Sequence, residues 1–404
     1  MIKKIPITEL KPGMYMHDVN CSWRVEPIFV RRYKMKTDEQ VEMIRELGVR
    51  EVYIDTSLGD DLPGAPTEDE VRWALEEAIQ KLGRHSEVAV HHRLVSPAEL
   101  SEAIVVHDSA TRLIRQLMGD VRLGHQIEFD AISEAMQGIG QTMLSSFGAI
   151  IQLGQLKTTD DYTFQHSVGV CALLTAFCKV LGLNRQTTSD VGIGALLHDI
   201  GKVRVPLEVL NKPGRLSDAE FEAIRLHVQH GRDIIADASW ISPSSRNVLE
   251  QHHERYDGSG YPGGLKGSEI SPFGQMAAIV DVYDAITAER VYHKPMMPAE
   301  ALRKIQEWSR FHFNEELVGH FICSLGIYPL KTLVLLESGL LGIVIDQNPA
   351  DLMRPVLLVV YDTRLPGIVS PYQLDLQASS ADRILCYEPP EKYGINVERY
   401  LRAD

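Results

Sequence analysis

No two cysteines in this chain stand at C-x-x-C spacing. Cys21, Cys171, Cys178, Cys323 and Cys386 are odd in number and widely spread, which argues against a disulfide framework. They suit a reducing compartment in which thiols act as small buried apolar groups. A surplus of positive charge is also missing. The net charge of -14 argues against a binder of nucleic-acid polymers, although a local basic cluster can still hold a small anion. The opening "MIKKIPITELKPG" has two lysines but no apolar core, so no signal peptide is expected. Long hydrophobic runs are absent too: "SVGVCALLTAFCKVLGL" contains Lys179 and reads as a buried helix, so no membrane insertion is expected. Repeats and low-complexity segments are lacking. What is there, 404 residues with 44% hydrophobic and 24% charged content, describes a multidomain globular protein, expected in the cytoplasm.

Residues 1–60 read as a small α/β accessory domain. Strand-like "GMYMHDV" and "PIFVRRY" precede a helix with Thr37 and Gln40 at capping-box spacing and Val41, Ile44 and Leu47 on one face. Gly48 is placed to end that helix, and the strand "REVYID" follows. Beyond the acidic, turn-rich "GDDLPGAPTEDE", residues 61–155 have mostly helical spacing and are expected to be a linker or a homodimerisation region. Residues 156–328 read as a central all-α bundle. Ser217 and Glu220 form a capping box ahead of "EFEAIRLHVQHGRDII", Pro298 suits a first helical turn, and Asn314 can cap "EELVGHFICSL". After Pro329 the period shortens, so residues 329–404 are expected to form a small β-rich appendage.

A lone histidine is more often a surface or internally satisfied side chain than a ligand, and His17, His85, His107, His125, His312 and His320 are read that way. The pair His91 and His92, without a nearby carboxylate, is read as surface. The central bundle differs: His166, His198, Asp199, His227, His252, His253 and Asp281 fall in or at the ends of apolar helical segments, where a lone polar group is costly without a partner. Neighbours on a helix diverge by about 100°, so His198 and Asp199 suit two adjacent ion positions better than one. An aspartate has two oxygens and can bridge. Imidazoles and carboxylates in this number can supply two ions and leave room for water, an arrangement whose natural product is a metal-bridging hydroxide poised to attack a clamped electrophile.

"HDIGK", "LNKPGRLSDAEFEAIRLHVQHG", "HHERYDGSGYPGGLKG" and "IVDVYDAITAERVY", in that order, resemble the HD-GYP branch of the HD phosphohydrolase superfamily over roughly residues 160–326. Residues 1–60 more loosely resemble an accessory domain found ahead of such modules. The resemblance implies an HD-type helical bundle with cyclic di-GMP phosphodiesterase activity, giving pGpG or GMP. It implies His166, His198, Asp199, His227, His252, His253 and Asp281 as ligands of two divalent ions, with Asp199 bridging. Iron or manganese is expected, and cobalt, nickel and zinc also suit the donors. Where some members place a third-ion carboxylate this chain has Tyr162; Asp160 and Asp161 are expected to point away from the His166 face, and His230 matches no ligand position. Asp284 is expected to orient ligands from behind. Lys202 is expected to be free to reach a phosphate or the leaving oxygen, making it catalytic along with Asp199. Tyr261, Arg290 and Lys294 are expected to contact substrate, Lys294 in place of a basic residue where this chain has His293. A signalling scaffold with protein partners and little turnover, and a hydrolase of another cyclic dinucleotide, are the alternatives.

Overall fold

The computed structural model describes residues 1–20, 32–46, 48–85, 92–145, 162–210, 212, 216–288, 295–365, 367–378 and 382–401. The N-terminal unit is an antiparallel sheet in the order β1 (Ile2–Pro6), β4 (Glu51–Asp55), β2 (Tyr15–Asp18) and β3 (Tyr33–Lys34), with α1 (Asp38–Glu46) packed on one face. Alternation divides the strands. Ile5, Val52 and Ile54 join Val41 and Ile44 in a core belonging to this unit, while Lys4 and Tyr53 point the other way, toward the helical body.

The body comprises α2 (Glu68–His85), α3 (Pro97–Arg122), α4 (Phe129–Ser145), α5 (Tyr162–Val180), α6 (Arg185–Leu197), α7 (Leu207–Leu210), α8 (Asp218–Arg225), α9 (His227–Ile234), α10 (Pro243–Gln251), α11 (Pro272–Thr287), α12 (Pro298–Trp308) and α13 (Glu315–Leu325). The capping signals operate as expected: Ser217 with Glu220 opens α8, Asn314 caps α13, and Pro298 begins α12. The segment expected as one helix from Ser217 is instead broken at exposed Leu226. There the Ile224 carbonyl accepts from the ring of His227, and the turn aims that ring inward.

Helices α2 to α4, read from sequence as a linker or dimerisation region, share one continuous core with the body. Ile79, Ile114 and Ile132 pack in the same cluster as Phe177, Leu196, Ile279 and Phe321. His92, read as a surface residue, is buried, with Nε2 2.7 Å from the Ser324 carbonyl at the end of α13. His91 lies outside the described residues. The C-terminal sheet runs β8 (Gly367–Asp375), β7 (Val356–Asp362), β6 (Leu340–Asp346), β5 (Leu333–Leu336) and β9 (Ile384–Tyr387), antiparallel throughout. Val334, Leu336 and Val344 join the helical core. Leu333, Leu341 and Ile343 face the opposite way, covered by Val397 of α14 (Val397–Leu401).

Candidate metal centre

Three histidines arrive at the centre by the same local device. His198 follows the last residue of α6, His227 is the first of α9, and His252 follows the last of α10. Each donates Nδ1–H to the carbonyl three residues back: Ala195 at 2.7 Å, Ile224 at 2.7 Å and Leu249 at 2.8 Å. A carbonyl only accepts, so the proton sits on Nδ1 and Nε2 is left with a lone pair. His166, on α5, donates Nδ1–H to Asp284 Oδ2 at 2.6 Å, the carboxylate–histidine pairing that fixes tautomer and ring orientation.

The Nε2 atoms converge. Those of His227 and His252 are 3.3 Å apart, and with both protons on Nδ1 neither can donate to the other. Burial, the largest influence, lowers His227 to about 4 and holds His252 and His253 well below the usual imidazole range, so all three are neutral at pH 7. His198 Nε2 and Asp199 Oδ1 are buried with no hydrogen-bond partner among the described residues. Facing lone pairs and orphaned acceptors in a dry interior are costly unless a cation lies among them, and neutral imidazole with carboxylate is the donor set that binds one. The residues therefore fit metal ions.

They form two groups, His166 with His198 and Asp199, and His227 with His252 and His253; within each, the ligand atoms lie within 4.8 Å of one another. Asp199 stands between them. Its Oδ2 is 3.4 Å from His198 Nε2 and 3.9 Å from His166 Nε2, and its Oδ1 is 3.4 Å from His227 Nε2. Asp281, on α11, also spans the centre, with Oδ1 3.0 Å from His166 Nε2 and Oδ2 3.7 Å from His253 Nδ1. Burial alone would raise both carboxyls. Lys202 above all outweighs it at Asp199, and both carboxyls are held well below the ordinary carboxylate range, so both are anionic.

The turn after His198 is held by Gly201. A Cβ there would lie 1.8 Å from the His227 carbonyl oxygen, so only glycine lets the short 3-10 helix Ile200–Arg204 press against the start of α9. The contact brings "HD" and His227 together. Lys202, expected to be free, is instead committed: its Nζ donates to Asp199 Oδ2 at 2.6 Å, because a buried carboxylate draws in the nearest ammonium.

Tyr261 comes to the same place on the glycine-rich loop. Its ring lies on His253 with centroids 4.6 Å apart, and the Arg225 guanidinium sits 4.7 Å from its centroid. Burial pushes its phenol well above the ordinary range, leaving it a protonated donor. Sequence reading assigned nothing to Arg225 or to Glu254. Buried Glu254 accepts from Gly263 N at 2.7 Å and Leu265 N at 2.9 Å, bracing the loop from inside. The one available signal for Glu254 was its place directly after the histidine doublet. His230 is half-buried and in neither group. Asp160, Asp161, Arg290, His293 and Lys294 lie outside the described residues.

An HD-domain family model matches residues 110–317, and a domain of unknown function matches residues 2–132. A cyclic di-GMP phosphodiesterase of Pseudomonas aeruginosa, PA4108, is 36% identical over 98% of this chain and 94% of its own length. The chain belongs to the HD-domain family. Other relatives match over less of the chain: a cyclic di-GMP phosphodiesterase of Thermotoga maritima is 35% identical over 40% of this chain and 45% of its own. The 3'3'-cGAMP-specific phosphodiesterase 1 of Vibrio cholerae is 33% identical over 45% and 41%. No helix among the described residues is long and apolar enough to cross a membrane.

Proposed function

We propose that this chain is a phosphodiesterase that opens cyclic di-GMP to linear pGpG, with a second cleavage giving GMP, using two divalent cations bridged by Asp199. One observation carries the reading: neutral imidazole lone pairs from His227 and His252 face each other beside the anionic Asp199, which reaches both ligand groups. The full-length similarity to a cyclic di-GMP phosphodiesterase supports the substrate. His166, His198, Asp199 and Asp281 would hold one ion, and His227, His252, His253 and Asp199 the other. Two such ions supply Lewis acidity and activate the attacking water.

The chain's own groups do the rest. Asp284 keeps the proton of His166 on Nδ1, so Nε2 faces the centre. Lys202 balances the charge of Asp199 and holds its Oδ2 in place. Tyr261 offers a hydroxyl donor and an aromatic face beside His253, and Arg225 adds a cation for phosphate or guanine. Iron or manganese fits the nitrogen and oxygen donors.

The test is purified protein loaded under reducing conditions with iron, manganese, cobalt or nickel, given cyclic di-GMP and 3'3'-cGAMP, with products separated by chromatography. We expect pGpG from cyclic di-GMP. Cleavage of neither nucleotide with any of the metals would overturn the reading, and preferential cleavage of 3'3'-cGAMP would move it to the substrate of the Vibrio cholerae relative.

A further inference from the structure

The residues matched to a domain of unknown function reach the substrate loop directly. Arg50, immediately before β4, donates Nε and Nη2 to Asp257 Oδ2 at 3.2 and 3.1 Å, across 207 residues of chain. Asp257 stands at the neck of the loop. It pairs with Lys266 in an isolated bridge, and its Oδ1 accepts from Ser259 N at 3.0 Å. Between these ends runs "GSGYPGGL", carrying Tyr261 onto His253. The path is tight: a Cβ on Gly260 would come within 2.3 Å of Arg255 N. The loop thus has an inner brace, Glu254, and an outer one, Arg50.

A partly exposed ion pair holds little by itself, and the Arg50 side chain is 49% exposed. The backbone that carries this donor, however, is fixed in advance. Strand β4 is flanked on both sides in its sheet, and the Arg50 carbonyl accepts from Ile7 N at 2.9 Å. The sheet is itself anchored on α12, where buried Glu307 accepts from Tyr53 OH at 2.8 Å and Asn20 Nδ2 at 2.9 Å and pairs with Lys4 at 2.8 Å. Little domain freedom is lost when Arg50 meets Asp257; the entropy of the Arg50 side chain itself is still lost.

We propose that Arg50 is a positioning residue for substrate binding, by which the N-terminal unit sets the loop that presents Tyr261. The substrate it serves rests on the phosphodiesterase reading; the loop restraint does not. Arg50 touches none of the proposed metal ligands, so its loss acts on the loop and leaves bound metal at the wild-type level.

The experiment uses the full chain and two readouts. In Arg50→Ala we expect faster amide hydrogen exchange across residues 258–265 without nucleotide. We also expect a KM for cyclic di-GMP raised about two- to fivefold, the range a partly exposed pair can support, with a smaller change in kcat. Arg50→Lys should recover part of both effects, and the exchanged pair Arg50→Asp with Asp257→Arg should recover more than either single change. Wild-type exchange and KM in Arg50→Ala would overturn the proposal. If the wild-type protein cleaves no cyclic dinucleotide, the phosphodiesterase reading falls while exchange in residues 258–265 still decides the role of Arg50.

Discussion

Asp199 presents one oxygen to His198 and Lys202 and the other to His227, so replacing it by asparagine removes a charge from both ligand groups at once. For Asp199→Asn we expect metal content to fall and turnover to drop on the order of a thousandfold, the several kcal/mol that metal catalysis contributes. Near-normal hydrolysis would show that Asp199 bridges nothing of consequence. Asp284 acts one step further out, through His166 Nδ1. Asp284→Ala should weaken metal binding about 10- to 100-fold and regain activity as metal is added, which elemental analysis and a metal titration of activity would check. At this scale the proposed ligands were legible because imidazole and carboxylate groups stood in apolar segments that could not tolerate them singly. Lys202 was misread as free because the depth of Asp199, which demands a counter-charge, is set by packing of α6 against its neighbours.

Helix ends organise the site. His198, His227 and His252 all sit at the point where a helix starts or stops, each ring donating to a carbonyl of a helix's last turn, so chain termination and ring orientation go together. The caps and the glycine-rich loop were readable as local signals. The break at Leu226 was not, since it follows from the ring of His227 claiming the Ile224 carbonyl. Nor was the brace by Glu254, whose partners nine and eleven residues on are fixed only by the path of the loop. Glu254→Gln would set an amide against two backbone donors where a carboxylate now serves both. It should lose about 1–3 kcal/mol of charge-assisted bonding and raise KM by roughly an order of magnitude while metal content holds. An unchanged KM would mean the loop keeps its shape without the brace.

Across the whole molecule, one face of the N-terminal sheet is closed by its own apolar core and the other by charge. Lys4, Tyr53 and Asn20 meet Glu307 on α12, with Lys304 at 3.2 Å. The strand "REVYID" was readable in the sequence, but β1 and the contacts of Lys4 and Tyr53 were not, because their partner Glu307 is brought to them only by the packing of α12. Burial alone would raise the Glu307 carboxyl; the Lys304 and Lys4 ammoniums and the Tyr53 hydrogen bond outweigh it and hold it below its ordinary value of 4.5. A carboxyl lowered by folding stabilises the folded state fully above its unfolded value. That contribution drains away as pH falls through 4.5 toward the folded value, because the unfolded chain takes up the proton first. Glu307→Gln should therefore cost roughly 1–3 kcal/mol at pH 7 and less at pH 4, so wild-type and variant melting curves converge on acidification. The same variant loosens the anchor behind Arg50, and exchange in residues 258–265 should rise with it at pH 7. Melting curves that stay parallel between pH 7 and 4, with unaltered loop exchange, would show that the sheet is held on α12 by something other than this carboxylate.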